Sequence, residues 1–148
     1  MKIVTPRPEP PMSTPLRPAQ PSDVHEIAQF DEFNGDRLRE VEAGTCFVAV
    51  RAGQVIAYVS YDPRGLLGQP LLTCLCVREE FRRQGIATSL VRRVQSQASG
   101  RKLLSSTEDW CTGTQRILES LGWKKVGEIA GVNKDGSSEW FYSVELDR

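Results

Sequence analysis

Apolar residues recur with two periods along this chain, and these periods predict alternating strands and helices. Strand character is found in Thr14–Arg17, Cys46–Val50, Gln54–Ser60, Leu71–Val77, Leu103–Ser105, Lys124–Ala130 and Glu139–Leu146. Helical character begins at a Ser22 cap and at a Thr112-x-x-Gln115 capping signal, and it also covers Asp36–Ala43 and Gly85–Ala98. The resulting order, β-α-α-β-β-β-α-β-α-β-β, predicts an α+β fold with a mixed sheet of about seven strands flanked by four helices.

Two details of the pattern give local predictions. Leu38 and Val41 share one face of the second helix and are expected to point inward. The segment Pro63–Pro70 is interrupted by glycine and proline, which predicts a loop before the strand at Leu71–Val77.

Composition narrows the class of protein. The length of 148 residues argues for one domain. The net charge of zero argues against a surface that binds nucleic acid or an anionic membrane. Seven of the nine prolines lie in the first 21 residues, so residues 1–11 are expected to form an extended tail before a domain at 12–148. No stretch resembles a secretory signal or a membrane span, and a cytoplasmic location is expected.

The cysteines and the single histidine do not form a recognisable metal set. Cys74 and Cys76 point to the same face of a predicted strand, but His25 is remote in sequence, so no metal is expected. Buried, reduced thiols are the preferred interpretation for these residues and for Cys46. His25 itself is expected to be a surface or packing residue.

The junction after the strand Leu71–Val77 carries the strongest chemical signal. The first N–H groups of a helix have no intrahelical partner, and the helix dipole adds positive charge, so such a junction binds phosphate. Gly85 leaves room for a ligand beside the backbone, Ala87 keeps a neighbouring position small, and Arg82 and Arg83 add charge. A solvated basic helix start would explain two arginines alone, but the glycine–alanine spacing after an apolar strand favours phosphate.

These residues resemble a known family. The segment Arg82-x-x-Gly85-x-Ala87 is similar to the (Gln/Arg)-x-x-Gly-x-(Gly/Ala) signature of the GCN5-related N-acetyltransferases (GNAT). Ile117–Trp123 is similar to the family's helix ending in Gly-aromatic, and Leu16–Asp23 is similar to its opening. The resemblance covers roughly Met12 to Leu146 and implies a GNAT-like fold, acetyl-coenzyme A as co-substrate and an amine acceptor.

The resemblance also implies contacts for the cofactor. The backbone of Leu75, Cys76 and Val77 would pair with the pantetheine arm like an added strand. The N–H of Leu75 would stabilise the oxyanion. The diphosphate would be held by the loop and helix start, namely Arg82, Arg83, Gln84, Gly85, Ile86, Ala87 and Thr88.

Proton transfer is where the chain departs from the family. The family often carries a tyrosine on the fourth helix that protonates the leaving thiolate, together with an upstream asparagine; here Leu118 and Cys111 occupy those positions. The remaining proton sources are solvent, Cys111, Ser105 and Ser106. The candidates for the general base are Glu108 and Asp109, for which helix capping is the competing interpretation, and then Asp62, Tyr61 and Glu139.

Two loops, 31–37 and 61–69, are expected to select the acceptor. Asp31, Glu32 and Asp36 make the first loop acidic, which suits a cationic amine, although solvated loop charge explains it equally well. The three tryptophans that could line an acceptor pocket are Trp110, Trp123 and Trp140, although Trp123 is expected in the core instead. On the last strand, Tyr142 shares a face with Trp140, and Phe141 lies on the opposite face.

The sequence therefore predicts an enzyme that transfers acetyl directly from acetyl-coenzyme A to a primary amine of a small molecule or peptide. A non-catalytic sensor that binds acyl-coenzyme A is the alternative, because the tyrosine is missing. The partners expected are the acceptor and, because the family often dimerises, a second copy of the chain in a homodimer.

Overall fold

A computed structural model describes residues 14–146 of the chain, and the proline-rich segment 1–11 lies outside this range. The element order matches the prediction. The strands are β1 (Leu16–Pro18), β2 (Cys46–Arg51), β3 (Gln54–Leu66), β4 (Gln69–Val77), β5 (Lys102–Glu108), β6 (Lys124–Ile129) and β7 (Glu139–Glu145). The helices are α1 (Val24–Ala28), α2 (Arg37–Glu42), α3 (Ile86–Gln97) and α4 (Thr112–Ser120).

The seven strands form one mixed sheet in the order β1-β2-β3-β4-β5-β7-β6. Every neighbouring pair is antiparallel except β4 and β5, which run parallel. A parallel connection needs a crossover, and α3 supplies it between these two strands. The predicted α+β fold, with seven strands and four helices, is confirmed within the described residues.

Two hydrophobic cores cover the sheet. On one face α3 and α4 bury Ile86, Leu90 and Leu118 against the strands. On the other face α1 and α2 bury Ile27 and Val41 against β2, β3 and β4. The apolar faces of α1 and α3 therefore pack these helices against opposite faces of the sheet.

The prediction for α2 was wrong at one position. Leu38 is 44% exposed, whereas Arg37 is only 6% exposed. Arg37 is buried because its guanidinium pairs with Asp31 and Glu40 and lies over the Tyr58 ring. A buried charge is tolerated when it is paired and hydrogen-bonded, and apolar spacing alone cannot reveal such a partner.

The segment Pro63–Pro70 is not a loop, contrary to the prediction. β3 continues to Leu66 and β4 begins at Gln69, so most of the segment is the end of a β-hairpin. Leu67 and Gly68 both have positive φ, 51° and 76°, which is the geometry of a tight hairpin turn that keeps two strands paired. The register shift between Asp62 and Leu66 accommodates the irregular stretch that contains Pro63.

The start of α4 also differs from the prediction. Thr112 is the first helical residue rather than the cap, which is Cys111 and makes no side-chain capping bond. The Gln115 amide instead donates to the carbonyl oxygens of Glu108 and Asp109 at 3.2 and 3.0 Å. β5 is longer than predicted because it pairs with β7 along its whole length, and Glu108 is its last residue.

Candidate active site

A gap opens in the sheet between β4 and β5. Among residues 14–146 the two strands are paired at one position, Leu71 with Leu104. Just beyond it, the Ser105 hydroxyl donates to the Leu72 carbonyl oxygen at 3.2 Å. Further along, β4 continues to Val77 without a partner on this edge, so a stretch of backbone faces the gap.

The direction of the β4 amides follows from one hydrogen bond. The N–H of Arg78 donates to Ile56 of β3 at 2.8 Å. Successive residues of a strand direct their N–H groups to opposite edges, so the N–H groups of Val77 and Leu75 point away from β3 and into the gap. The Val77 carbonyl, on the same edge, accepts a bond from Arg82 Nε at 3.0 Å.

A cavity of about 620 Å³ occupies this gap and extends to the start of α3. It is the space that the family resemblance requires, since it joins the β4 backbone, the helix start and the first turn of α4. Its walls are Glu32, Leu75, Cys76, Val77, Phe81, Arg82, Arg83, Gly85, Ile86, Ala87, Thr88, Cys111, Gly113, Thr114 and Ile117.

The start of α3 has the backbone of an anion-binding loop. Arg83 and Gly85 both have positive φ, 64° and 80°, and Gly85 is the cap residue without any side-chain capping bond. The first N–H bonded back within the helix is that of Ser89, which reaches Gly85 O at 3.1 Å. The backbone N–H groups that precede Ser89 in this turn are therefore available to a ligand. Because residues with positive and negative φ alternate here, these N–H groups converge toward one point.

Gln84, unlike the other residues predicted to hold the diphosphate, does not line the cavity. Its side chain leaves the cavity and its Oε1 accepts a bond from Arg51 Nη1 at 2.7 Å. Arg51 also donates to Thr14 at 2.6 Å and lies 5.3 Å from the Phe81 ring centroid. Sequence reasoning missed Arg51, and nothing in the chain order connects β2 to this loop.

The first turn of α4 closes the cavity on the β5 side. Cys111, Gly113 and Thr114 line it, and Cys111 Sγ lies 3.5 Å from Thr114 Oγ1. Leu118, in the position of the family's tyrosine, is buried in the core. None of the three tyrosines, all within the described residues, lines the cavity.

The carboxylates considered for the general base lie outside the cavity wall. Asp109 Oδ2 accepts from the Ser138 N–H at 3.2 Å and so fixes the β6–β7 loop rather than α4. Glu139 is held by Ser106 at 2.7 Å and by Asn133 at 3.1 Å. Glu108 ends β5 directly opposite Glu139.

The other candidates from the sequence have structural contacts. Asp62 Oδ1 accepts from the Arg64 N–H at 2.9 Å, and burial raises the pKa of Tyr61. His25 is exposed on α1. The four cysteines are free thiols; burial raises the pKa of Cys46 to about 12 and raises that of Cys76 as well.

The aromatic residues fill structural positions on the sheet. Trp123 lies in the core, as expected, together with Tyr142. Trp140 is partly buried, with Lys125 Nζ 3.8 Å from its ring centroid. Trp110 is exposed and its Nε1 donates to Asp135 at 3.1 Å.

The described residues, 14–146, contain no group of His, Cys, Asp and Glu side chains that could hold a metal ion. In the same range, no helix has the length and apolar character needed to cross a bilayer.

Comparison with known proteins agrees with the fold. The sequence model of the acetyltransferase (GNAT) domain family matches residues 42–125. This range includes β4, the loop that leads from β4 to α3, and all of α3 and α4. The chain belongs to the GNAT acetyltransferase family. No curated protein sequence matches the chain.

Solved structures of low sequence identity share the fold. A GNAT-family acetyltransferase from Bacillus cereus aligns with a TM-score of 0.81 at 20% identity, over 92% of this chain and 99% of that one. A ribosomal-protein-alanine N-acetyltransferase from Brucella melitensis aligns at 0.75 and 23% identity, over 88% and 99%. Arabidopsis thaliana NAA60, solved with a bisubstrate analogue, aligns at 0.75 and 17% identity, over 91% and 99%.

Proposed function

We propose that this protein transfers an acetyl group from acetyl-coenzyme A directly to a primary amine. The observation that carries the proposal is the single cavity that joins the free edge of β4 to the start of α3. Coenzyme A, the co-substrate that the family resemblance implies, can reach both because it combines an extended amide-bearing arm with a diphosphate.

The residues at the cavity fit this co-substrate. A Cβ added to Gly85 would meet no protein atom within 4 Å, so the space beside this backbone is open to a ligand. The amides of the first turn of α3 can bind a diphosphate, and the Arg82 and Arg83 side chains line the same space. The gap-facing amides of Leu75 and Val77 can pair with an extended arm as a neighbouring strand would.

The reaction requires the amine nitrogen to attack the thioester carbonyl carbon as the C–S bond breaks and its electron pair passes to sulfur. An ammonium acceptor first loses one proton to solvent, the nitrogen loses a second proton once the N–C bond has formed, and the thiolate of coenzyme A takes up one proton. The oxygen of the attacked carbonyl carries negative charge in the transition state. The Leu75 N–H points into the gap and can donate to that oxygen. Because a backbone group supplies this donor, no particular side chain is needed at position 75.

The α4 side of the cavity can assist the departing thiolate. α4 begins here with Gly113 and Thr114 in the cavity wall, and a helix N-terminus stabilises negative charge. The Cys111 thiol in this wall can donate a proton to the thiolate, and the Thr114 hydroxyl can donate a hydrogen bond to it. These groups compensate for Leu118, which cannot donate a proton.

Direct transfer is favoured over an acetylated cysteine. Cys76 lines the cavity, but burial raises the pKa of its thiol, which keeps it protonated and a poor nucleophile. The Cys111 thiol lies beside the Thr114 hydroxyl, which cannot act as a general base. Among the described residues, the one carboxylate in the cavity wall is that of Glu32, which lies on the α1–α2 loop across the gap.

Proteins and peptides are the first acceptor class to test. The name of the Brucella melitensis neighbour states that it acts on alanine of a ribosomal protein. That likeness, at 23% identity, supports the fold, and we take from it only the choice of first acceptors.

The test has two measurements on the full chain. Coenzyme A should raise the melting temperature, because a ligand that binds only the folded state stabilises it by about 2.7 kcal/mol at 100 times its Kd. Acetyl-coenzyme A should then release thiol when an amine from a panel of alanine-initiated peptides, polyamines and amino-acid derivatives is added. Binding without release for every amine would support the acyl-coenzyme A sensor, and no stabilisation at all would reject both functions.

A further inference from the structure

Arg51, the last residue of β2, contacts three groups outside its own strand. Its Nη1 donates to Gln84 Oε1 at 2.7 Å, and its Nη2 donates to Thr14 Oγ1 at 2.6 Å. The same guanidinium lies 5.3 Å from the centroid of the Phe81 ring. One guanidinium can make all of these contacts together because its N–H groups form a rigid, planar fork.

Two of these contacts lie on either side of a residue in an unfavourable backbone conformation. Arg83 has a φ of 64°, in the left-handed region that residues other than glycine rarely adopt. Phe81 precedes Arg83 by two residues, and Gln84 follows it directly. Such a conformation persists only where surrounding groups hold it. Arg51 therefore holds the chain at two points that enclose this residue.

Burial cannot fix this part of the chain, because residues 82–85 are all exposed. At the start of the segment, Arg82 Nε donates to the Val77 carbonyl oxygen at 3.0 Å. At its end, the hydroxyl and the N–H of Ser89 both donate to the Gly85 carbonyl oxygen at 3.1 Å. Between these two ends, the segment is tied to the sheet through the guanidinium on β2.

The sheet holds Arg51 itself in place. β2 is paired with β1 on one side and with β3 on the other. The Val50 N–H also donates to the Pro15 carbonyl oxygen at 3.1 Å, directly beside Thr14. Arg51 is not part of the cavity wall, so its effect on a ligand there would pass through the loop or through its charge.

We propose that Arg51 is a positioning residue for the diphosphate loop, residues 82–85, and that it keeps the N–H groups at the start of α3 converged before the co-substrate binds. This inference rests on the proposed function. A site that is already ordered loses less conformational entropy when its ligand binds. Without the contacts of Arg51, Arg83 returns to a relaxed conformation in part of the molecules, and the N–H groups diverge.

The proposal predicts different effects on two ligands that share the pantetheine arm. Arg51→Ala should weaken coenzyme A about three- to tenfold, within the range for loss of one hydrogen bond between neutral and exposed partners. Pantetheine has the arm but no phosphate, and it should bind within about twofold of wild type because its arm pairs with β4. Coenzyme A is titrated by calorimetry and pantetheine by NMR. A merely structural role of Arg51 would weaken both ligands together.

Two further variants test the route through Gln84 and the effect of charge. With Gln84→Ala already present, Arg51→Ala should weaken coenzyme A less than it does alone, because the two side chains act through one contact. Gln84 is exposed, so Gln84→Ala also tests this contact if Arg51→Ala does not fold. Arg64→Ala is the control: Arg64 is exposed on β3 and outside the cavity wall, and its loss should leave coenzyme A affinity unchanged.

Two measurements separate positioning from attraction by charge. A loss caused by charge alone shrinks between about 0.1 M and about 1 M salt, because the screening length falls from about 10 Å to about 3 Å. A loss caused by positioning stays the same at both salt concentrations. In the protein without ligand, NMR order parameters of the Arg83, Gln84 and Gly85 N–H groups should be about 0.85 in wild type and below about 0.6 in Arg51→Ala.

Equal coenzyme A affinities of wild type and Arg51→Ala, an equal loss for pantetheine, or a loss that disappears at high salt would overturn the proposal. Order parameters that do not change in Arg51→Ala would also overturn it. Failure of the proposed function gives a different result, which is a wild-type protein that does not bind coenzyme A. In that case the order parameters of the protein without ligand still decide whether Arg51 orders the loop.

Discussion

Replacing Gly85 by alanine tests the diphosphate site directly. Gly85 has a φ of 80°, where an L-residue is disfavoured by about 1–2 kcal/mol. In a chain of this size each kcal/mol lowers the melting temperature by roughly 3 °C, so we expect a decrease of about 3–6 °C. Apart from Gly85 itself and its two chain neighbours, no protein atom lies within 4 Å of the added Cβ, so strain is the only effect expected on the protein without ligand.

The effect on coenzyme A should be larger than the effect on stability. The added methyl group lies beside the amides that would bind the diphosphate. A hydrogen bond to a charged group contributes about 1.5–3 kcal/mol. Losing one such bond therefore weakens binding by about 10- to 100-fold. Calorimetric titration of coenzyme A into the variant measures this loss.

Gly122→Ala is the matched control. Gly122 follows α4, has a φ of 86°, and also has no protein atom within 4 Å of an added Cβ. It is not part of the cavity wall, so the variant should lose a similar amount of stability and keep wild-type affinity. Equal coenzyme A affinities for the two variants would refute binding of the diphosphate at the start of α3.

Three further predictions concern single side chains. Cys111→Ala should keep at least a tenth of the turnover, because a thiolate can also take its proton from solvent, and intact-mass spectrometry of wild type should show no acetyl-enzyme; complete loss with a trapped acetyl-enzyme would refute direct transfer. Arg51→Ala removes the 2.7 Å bond to Gln84 and should weaken coenzyme A severalfold by calorimetry, whereas an unchanged Kd would exclude a supporting role. Burial favours a raised pKa for Asp31, but its hydrogen bonds outweigh burial and lower the pKa. The stability this gives is therefore present above about pH 4 and is lost below it, so Asp31→Asn should show a shallower loss of unfolding free energy between pH 4 and pH 2 in urea.

The sequence was sufficient for the fold because the strongest patterns are local. Strand and helix periods gave the order of eleven elements, and the glycine spacing at Gly85 identified the strand-to-helix loop. Both signals depend on the chain's own geometry over a few residues. They need no knowledge of which distant segments meet.

The errors occurred where a distant partner decides the outcome. Arg37 is buried in place of Leu38 because Asp31, Glu40 and Tyr58 surround it, and two of these partners, Asp31 and Tyr58, lie outside α2. The end of β5 was placed too early because its pairing with β7 maintains a polar strand through Glu108. Sequence periodicity records burial, and it does not record which polar groups pair.

The same distinction applies within the site. The loop was predicted from the backbone chemistry of a helix start, and the β4 edge was predicted from the family resemblance. The contact of Arg51 with Gln84 and the bond of Asp31 to Arg37 were not predicted, because each depends on a side chain that reaches another element. Side-chain partners across elements are therefore the part of a site that a single sequence leaves open.

Leu118 in place of tyrosine is consistent with an active enzyme on energetic grounds. A thiol has a pKa of about 8.5, so the thiolate can leave without a proton and then take one from solvent; at pH 7.5 that later protonation releases only about 1.4 kcal/mol, a factor of ten. One bond to a charged diphosphate contributes as much or more, about 1.5–3 kcal/mol. Loss of the tyrosine therefore slows the reaction less than loss of the co-substrate site would, and substitutions in the loop at Gly85 should be more damaging than any at Leu118 that preserve the core.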